Sequence, residues 1–148
     1  MKKKCINRLA LAFPALSVNE GLARGLVGYF ASLPDPTVEE LADVRCAVSE
    51  AVTNAIVHGY GGGDGTVYIS AWLYSDRTLK IEVRDRGCGI ADVEEARLPL
   101  FTTDRSGERS GMGFAVMEAF TDKVRVFSQL GKGTRVVLYK RLKDTENE

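Results

Sequence analysis

The stretch Thr66-Val-Tyr-Ile-Ser-Ala-Trp-Leu-Tyr74, Ser75-Asp-Arg-Thr78, Leu79-Lys-Ile-Glu-Val-Arg84 sets the architecture. Leu79, Ile81 and Val83 alternate with Lys80, Glu82 and Arg84, the period of a strand with one buried and one wet face. Thr66 to Tyr74 is rich in β-branched and aromatic residues, and the polar Ser75 to Thr78 reads as a turn, so the two runs form an antiparallel hairpin. Further strands are expected at Leu9 to Phe13, Lys123 to Gln129 and Thr134 to Tyr139, the last two joined through Gly131-Lys-Gly-Thr134.

Helices are expected upstream of the hairpin. Ser17-Val-Asn-Glu20 and Thr37-Val-Glu-Glu40 both have the S/T-x-x-E form of a capping box. After the first, Val18, Leu22, Leu26, Phe30 and Leu33 recur at helical spacing until Pro34 and Pro36 end the run. After the second, Val38, Leu41, Val44, Val48, Val52 and Ala55 trace a buried stripe as far as about His58. Five glycines between Gly59 and Gly65 make a connector. Asp85 to Gly111 is loop-rich and leads into a short helix, Met112 to Phe120, while the acidic tail after Leu142 is expected to fray. These elements predict one domain over 1–148, a two-layer α/β (α+β) sandwich with helices on one face of a mainly antiparallel sheet.

Twenty basic and twenty acidic side chains cancel, so no bulk positive field gathers nucleic acid, and direct nucleic-acid binding is not expected. No apolar run approaches a membrane span, and the residues after Met1-Lys-Lys-Lys4 read as a strand rather than a secretion signal, since Asn7, Arg8 and Pro14 interrupt them. Cys5, Cys46 and Cys88 are odd in number, without a CxxC pair, and with a single histidine they suit the reducing cytoplasm better than a disulfide or zinc framework.

The chemistry-bearing residues fall in four segments. Glu50 and Asn54 stand four apart on the second helix, off the Val48/Val52 stripe. A carboxylate there can take a proton from an attacking hydroxyl, and an amide oxygen is a hard ligand suited to Mg²⁺. Alone, such a pair is more often simply solvated. Asp85-Arg-Gly-Cys-Gly89 leaves a strand through two glycines, which serves either a tight turn or a carboxylate that accepts from a ligand amino group while the backbone closes on a ring. Ser110-Gly-Met-Gly-Phe114 opens the third helix, where freed N–H groups and the positive dipole suit a phosphate; a flexible joint is the alternative. Gly131-Lys-Gly-Thr134 is a hairpin turn and not a P-loop, because glycine follows Lys132. The chain also lacks an H-R-D-x-x-x-x-N catalytic loop.

In order, Glu50-x-x-x-Asn54, Asp85-x-Gly-x-Gly89, Gly111-x-Gly113 and Gly131-x-Gly-Thr134 resemble the N, G1, G2 and G3 boxes of the GHKL family of ATPases and kinases. Within that family the chain is similar to the anti-sigma F group of serine-protein kinases from sporulating bacteria, most specifically at Ser49 to Tyr60, Pro99 to Thr103 and Glu108 to Phe114. The resemblance implies a Bergerat-type ATP fold. Asp85 would meet the adenine amino group with Gly87 and Gly89 beside the ring, Thr134 would support the adenine side, and Asn54 would hold Mg²⁺ against the phosphates. Ser110, Gly111, Met112 and Gly113 would close on the phosphates. Leu98 to Gly111 would form a lid, with Thr102, Thr103, Arg105 and Arg109 as further nucleotide contacts. Glu50 would be the base for a serine hydroxyl on an anti-anti-sigma protein. The resemblance also implies a homodimer that holds sporulation sigma factor F inactive, with Arg24 on the first helix contacting the partners. The alternatives are a stress-response anti-sigma kinase of the same family, a histidine-kinase catalytic domain, which a chain whose single histidine is His58 fits poorly, and an ATP-gated binding module without kinase activity.

Overall fold

A computed structural model describes residues 3–98 and 113–144. The chain runs β1 (Cys5–Pro14), α1 (Asn19–Ser32), α2 (Val38–Thr53), a π-helical turn (Asn54–Gly59), β2 (Thr66–Tyr74), β3 (Thr78–Asp85), α3 (Val93–Ala96), α4 (Gly113–Phe120), β4 (Lys123–Gln129) and β5 (Gly133–Arg141). The strands form one sheet in the order β1-β2-β3-β5-β4, and every pairing is antiparallel. The β2–β3 hairpin pairs Leu73 with Leu79 and Tyr68 with Arg84, as the alternation requires. Leu79, Ile81 and Val83 are buried with Val67, Ile69, Ala71, Val136 and Leu138, and α1, α2 and α4 cover this face.

Thr37 caps α2 through both arms of the box: its hydroxyl accepts from Glu40 N–H at 3.0 Å, and the Glu40 carboxylate accepts from Thr37 N–H at 2.9 Å. Glu40 is buried and also accepts from Lys143 N–H at 2.8 Å, tying the chain end to the start of α2. Burial works to raise its pKa, but the backbone bonds from Thr37 and Lys143 prevail and hold the carboxyl below its usual value. Lys140 joins three elements, donating from β5 to Asp43 on α2 at 3.1 Å and to the Phe120 carbonyl closing α4 at 3.0 Å.

Five expectations change. Val38, expected at the head of the buried α2 stripe, is exposed in the first turn of the helix. Ser17 does not cap α1: Val18 is its N-cap without a side-chain bond, and the Leu16 and Ser17 carbonyls accept from Asn19 and Glu20 N–H in a tight entry turn. The Glu20 side chain is thereby left for other partners. The α1 spacing is helical, yet Val18, Leu22, Leu26 and Leu33 are exposed, and the helix is buried through Ala23, Val27, Phe30 and Ala31. Steps of four drift by about 40° each around an α-helix, and the small residues let α1 approach α2 closely. The second helix reaches Gly59, but from Asn54 onward it is π-helical. The loop after Asp85 contains α3, whose Asp92 side chain accepts from Glu95 N–H at 3.0 Å.

Candidate functional site

The site grows from strand parity. Residues 79, 81 and 83 point into the core, so the next odd position puts the Asp85 side chain on the helix-covered face, buried where the strand ends. Thr134 pairs with Asp85 across β3 and β5 and is buried beside it, its hydroxyl 2.8 Å from that of Ser128. Burial pushes the Asp85 carboxyl up, opposed by backbone N–H bonds from Gly87, at 2.9 Å to Oδ1, and from Thr134. A buried acceptor fixed by backbone donors can read an amino group with little reorganisation.

Close backbone approaches weld the motifs together. Cys88 N–H donates to the Gly59 carbonyl at 2.8 Å, and Gly131 N–H donates to the Cys88 carbonyl at 2.7 Å. A Cβ on Gly87 would stand 1.9 Å from the Gly59 oxygen, so only glycine fits between the π-helical turn and the loop. Gly89 has φ 77°, and a Cβ there would meet the Gln129 oxygen at 2.2 Å. Gly59 lies against the Asp85 carboxyl on the other side. The helix carrying Glu50 and Asn54 therefore ends directly on the floor formed by Asp85, Gly87, Gly89 and Thr134.

Asn54 is the residue at which the α-helix gives way to the π-helical turn, a local change of pitch common at functional sites. Glu50 stands one turn earlier and, like Asn54, is half-buried. Gly113 begins α4, whose Phe114 and Met117 are buried and which packs on α2. Thr102, Thr103, Arg105, Arg109, Ser110, Gly111 and Met112 lie outside the described residues, as does most of the expected lid.

Arg24 lies on α1, apart from this floor, and is more than a solvated charge. Its guanidinium holds both carboxylate oxygens of Glu20 at 2.9 and 3.1 Å, and the Ser49 hydroxyl donates to Glu20. An unbroken polar chain thus runs from Arg24 to the residue preceding Glu50.

Tyr60 and Arg97 were not legible as site residues. The Tyr60 hydroxyl donates to the Thr66 carbonyl at 2.6 Å and accepts from Arg86 N–H at 2.7 Å, clamping the glycine connector to the end of β3. Arg97 ion-pairs with Glu118 on α4 and donates to the Val124 carbonyl at 3.0 Å, anchoring the near end of the 98–111 segment. An isolated aromatic and an isolated arginine carry no spacing signal. The one available hint for Tyr60 was its place at the head of the glycine run.

Comparison with known proteins places the fold. Residues 13–140 match the histidine kinase-like ATPase domain. The chain is 53% identical to the anti-sigma F factor of Clostridium acetobutylicum, across 91% of this chain and 94% of that protein, and 48% identical to the anti-sigma F factor of Priestia megaterium, across 95% and 96%. Among solved structures, a Mycobacterium tuberculosis protein with RsbU and RsbW domains superposes with a TM-score of 0.68 at 23% identity, covering 93% of this chain and 33% of that one. The mycobacterial sensor histidine kinase MprB superposes with a TM-score of 0.56 at 16% identity, covering 91% of this chain and all of the other. With the first, second and fourth motifs brought together and half the residues shared along nearly its whole length, the chain belongs to the histidine kinase-like ATPase family, in the group of the anti-sigma F factors.

Proposed function

We propose that this chain is a cytoplasmic anti-sigma kinase that sequesters sporulation sigma factor F and uses Mg²⁺-ATP to phosphorylate a serine of an anti-anti-sigma protein. The observation that carries the reading is the welding of the Glu50/Asn54 helix onto the Asp85–Gly87–Gly89 floor. One element offers a base and a cation ligand, and the other a buried acceptor for an amino group. The residues fit the nucleotide. Asp85 is buried with backbone donors on it, and glycines line its approach. They fit Mg²⁺ in one way: among the described residues no three His, Cys, Asp or Glu side chains cluster to hold a metal, so the Asn54 amide oxygen would share the ion with nucleotide phosphates.

Bound Mg²⁺-ATP would supply the phosphoryl group. Asp85 accepts from the adenine amino group, Thr134 lies alongside, and Gly87 and Gly89 let the backbone approach the ring. Glu50 accepts the proton of the serine hydroxyl as it attacks. We assign further phosphate contacts to Gly113 at the start of α4 and, outside the described residues, to Ser110, Gly111, Met112, Thr102, Thr103, Arg105 and Arg109. Arg24 faces the protein partners. On the opposite side of α1, Leu22, Leu26 and Tyr29 are exposed, flanked by Val18 and Leu33, an apolar surface of the kind that serves docking. We assign sigma-factor and anti-anti-sigma capture to α1, through Arg24 and part of this apolar side, and the homodimer to the remainder of that side.

Among the described residues no helix is long and apolar enough to cross a membrane. Incubation of the full chain with γ-labelled ATP, Mg²⁺ and candidate anti-anti-sigma proteins tests the reading. Label on a serine of one of them supports it. ATP binding with no label transferred to any of them would leave an ATP-gated binding module instead.

A further inference from the structure

The cancelled charge of the whole chain hides a segregation that the fold creates. From residue 19 to 59 the helical layer carries the acids Glu20, Asp35, Glu39, Glu40, Asp43 and Glu50 against only Arg24 and Arg45. The bases collect on the uncovered face of the sheet, and the strand register arranges them in rows. One row reads Arg8, Trp72, Lys80, Tyr139, Lys123 across all five strands. A second, four residues along each strand, reads Ala12, Tyr68, Arg84, Arg135, Phe127. Between them lie Ser70, Glu82, Val137 and Arg125.

Cations and rings are in contact throughout. Arg8 and Lys80 flank Trp72 at 5.8 and 4.8 Å from its ring, Arg84 and Arg86 flank Tyr68 at 5.6 and 5.1 Å, and Arg135 covers Phe127 at 4.3 Å. In these rows Glu82 is the one acid, and Arg135 neutralises it at 2.8 Å. At the β3–β5 end the second row borders a cleft of about 480 Å³ lined by Arg84, Arg86, Phe127, Lys132 and Arg135 and, where it meets the proposed nucleotide floor, by Asp85 and Thr134.

We propose that this open sheet face binds single-stranded nucleic acid. Charge complementarity selects a polyanion, and the geometry selects its kind. The central strands β3 and β5 carry Lys80, Arg84 and Arg135, whereas the core of a protein-binding patch is depleted of charge. Five strands span about 19 Å, too wide for a major groove of about 12 Å, so a duplex cannot enclose the face. Rows of cations with aromatic faces between them suit a flexible strand whose phosphates follow the cations and whose bases stack on rings and guanidinium planes.

Trp72, the chain's single tryptophan, lies in the first row and serves as a reporter. Titrating the full chain with an oligothymidylate of roughly 15 nucleotides should quench Trp72 fluorescence. The affinity should fall about a hundredfold between about 50 and 200 mM salt, as expected when about five phosphates are neutralised on a single strand. Lys80→Glu with Arg125→Glu should weaken binding at least tenfold while ATP binding is unchanged. If that pair fails to fold, Arg125→Gln should still reduce the salt slope by one phosphate's share. No quenching at low salt, or a folded double variant that binds as tightly as the unaltered chain, overturns the proposal. Equal or tighter binding of polyglutamate or phosphatidylserine vesicles also overturns it, and would assign the face to an acidic protein or a membrane.

Discussion

In the proposed site Asp85 and Glu50 carry the chemistry, and the surroundings of Asp85 separate stability from that role. Burial raises the Asp85 pKa, so its charged form weakens the free fold; the penalty is absent below the unfolded carboxylate value and complete once pH exceeds the raised folded value. Asp85→Asn keeps an oxygen for Gly87 N–H but turns an NH₂ toward the expected adenine donor. We expect thermal stability at neutral pH equal to or above that of the unaltered chain, an advantage that shrinks as pH falls through the carboxylate range, and ATP affinity at least tenfold weaker by titration. Glu40 has the opposite sign. Its carboxyl is lowered by its backbone donors despite burial, so its contribution is present above the unfolded value and lost as pH falls through the folded one. Glu40→Ala should cost about 1–2 kcal/mol in denaturant unfolding at pH 7 and progressively less in acid. The place of Asp85, Gly87 and Gly89 at the end of an alternating strand was legible, whereas the roles expected of them came from the resemblance. The packing of Gly59 on Asp85 and the Tyr60 clamp were not legible, because they join segments that sequence spacing cannot relate.

Among the elements, α2 and the β2–β3 hairpin were readable: Val44, Val48 and Val52, and Leu79, Ile81 and Val83, repeat with the period of the element that buries them. In α1 the leucines and Tyr29 mark the exposed side, while the buried side is built of small residues around Phe30 that allow close helix approach. Periodicity reports that a helix has an apolar face, not which face the core takes when two compete. The exposed face should therefore be needed for partners and dispensable for the fold. Leu22→Asp with Leu26→Asp should shift the midpoint of thermal unfolding by no more than a few degrees yet abolish sigma-factor capture in a pull-down. Arg24→Glu should impair capture with ATP affinity intact. Loss of nucleotide binding in the Leu22/Leu26 variant would contradict this division between α1 and the site. The π-helical turn was likewise invisible to pattern, since Asn54 to Gly59 continues the apolar spacing of α2 while changing its pitch.

In the whole molecule, the proposed functions fall on separate surfaces: a nucleotide floor where the helical layer meets the ends of β3 and β5, an apolar α1 face, and a cationic outer sheet. Composition reported only the neutral sum of these surfaces, and the register of five strands was needed to separate them. The proposed phosphoryl transfer draws on most of the chain, because it would have α1 present a partner's serine to a base on α2 above a nucleotide set against β3. Its most direct test compares Glu50→Gln with the unaltered protein under matched nucleotide occupancy, measuring ATP affinity, sigma-factor binding and the rate of label transfer to the anti-anti-sigma serine. The account predicts unchanged binding in both assays and a transfer rate lower by at least about a hundredfold; transfer at the unaltered rate would contradict it.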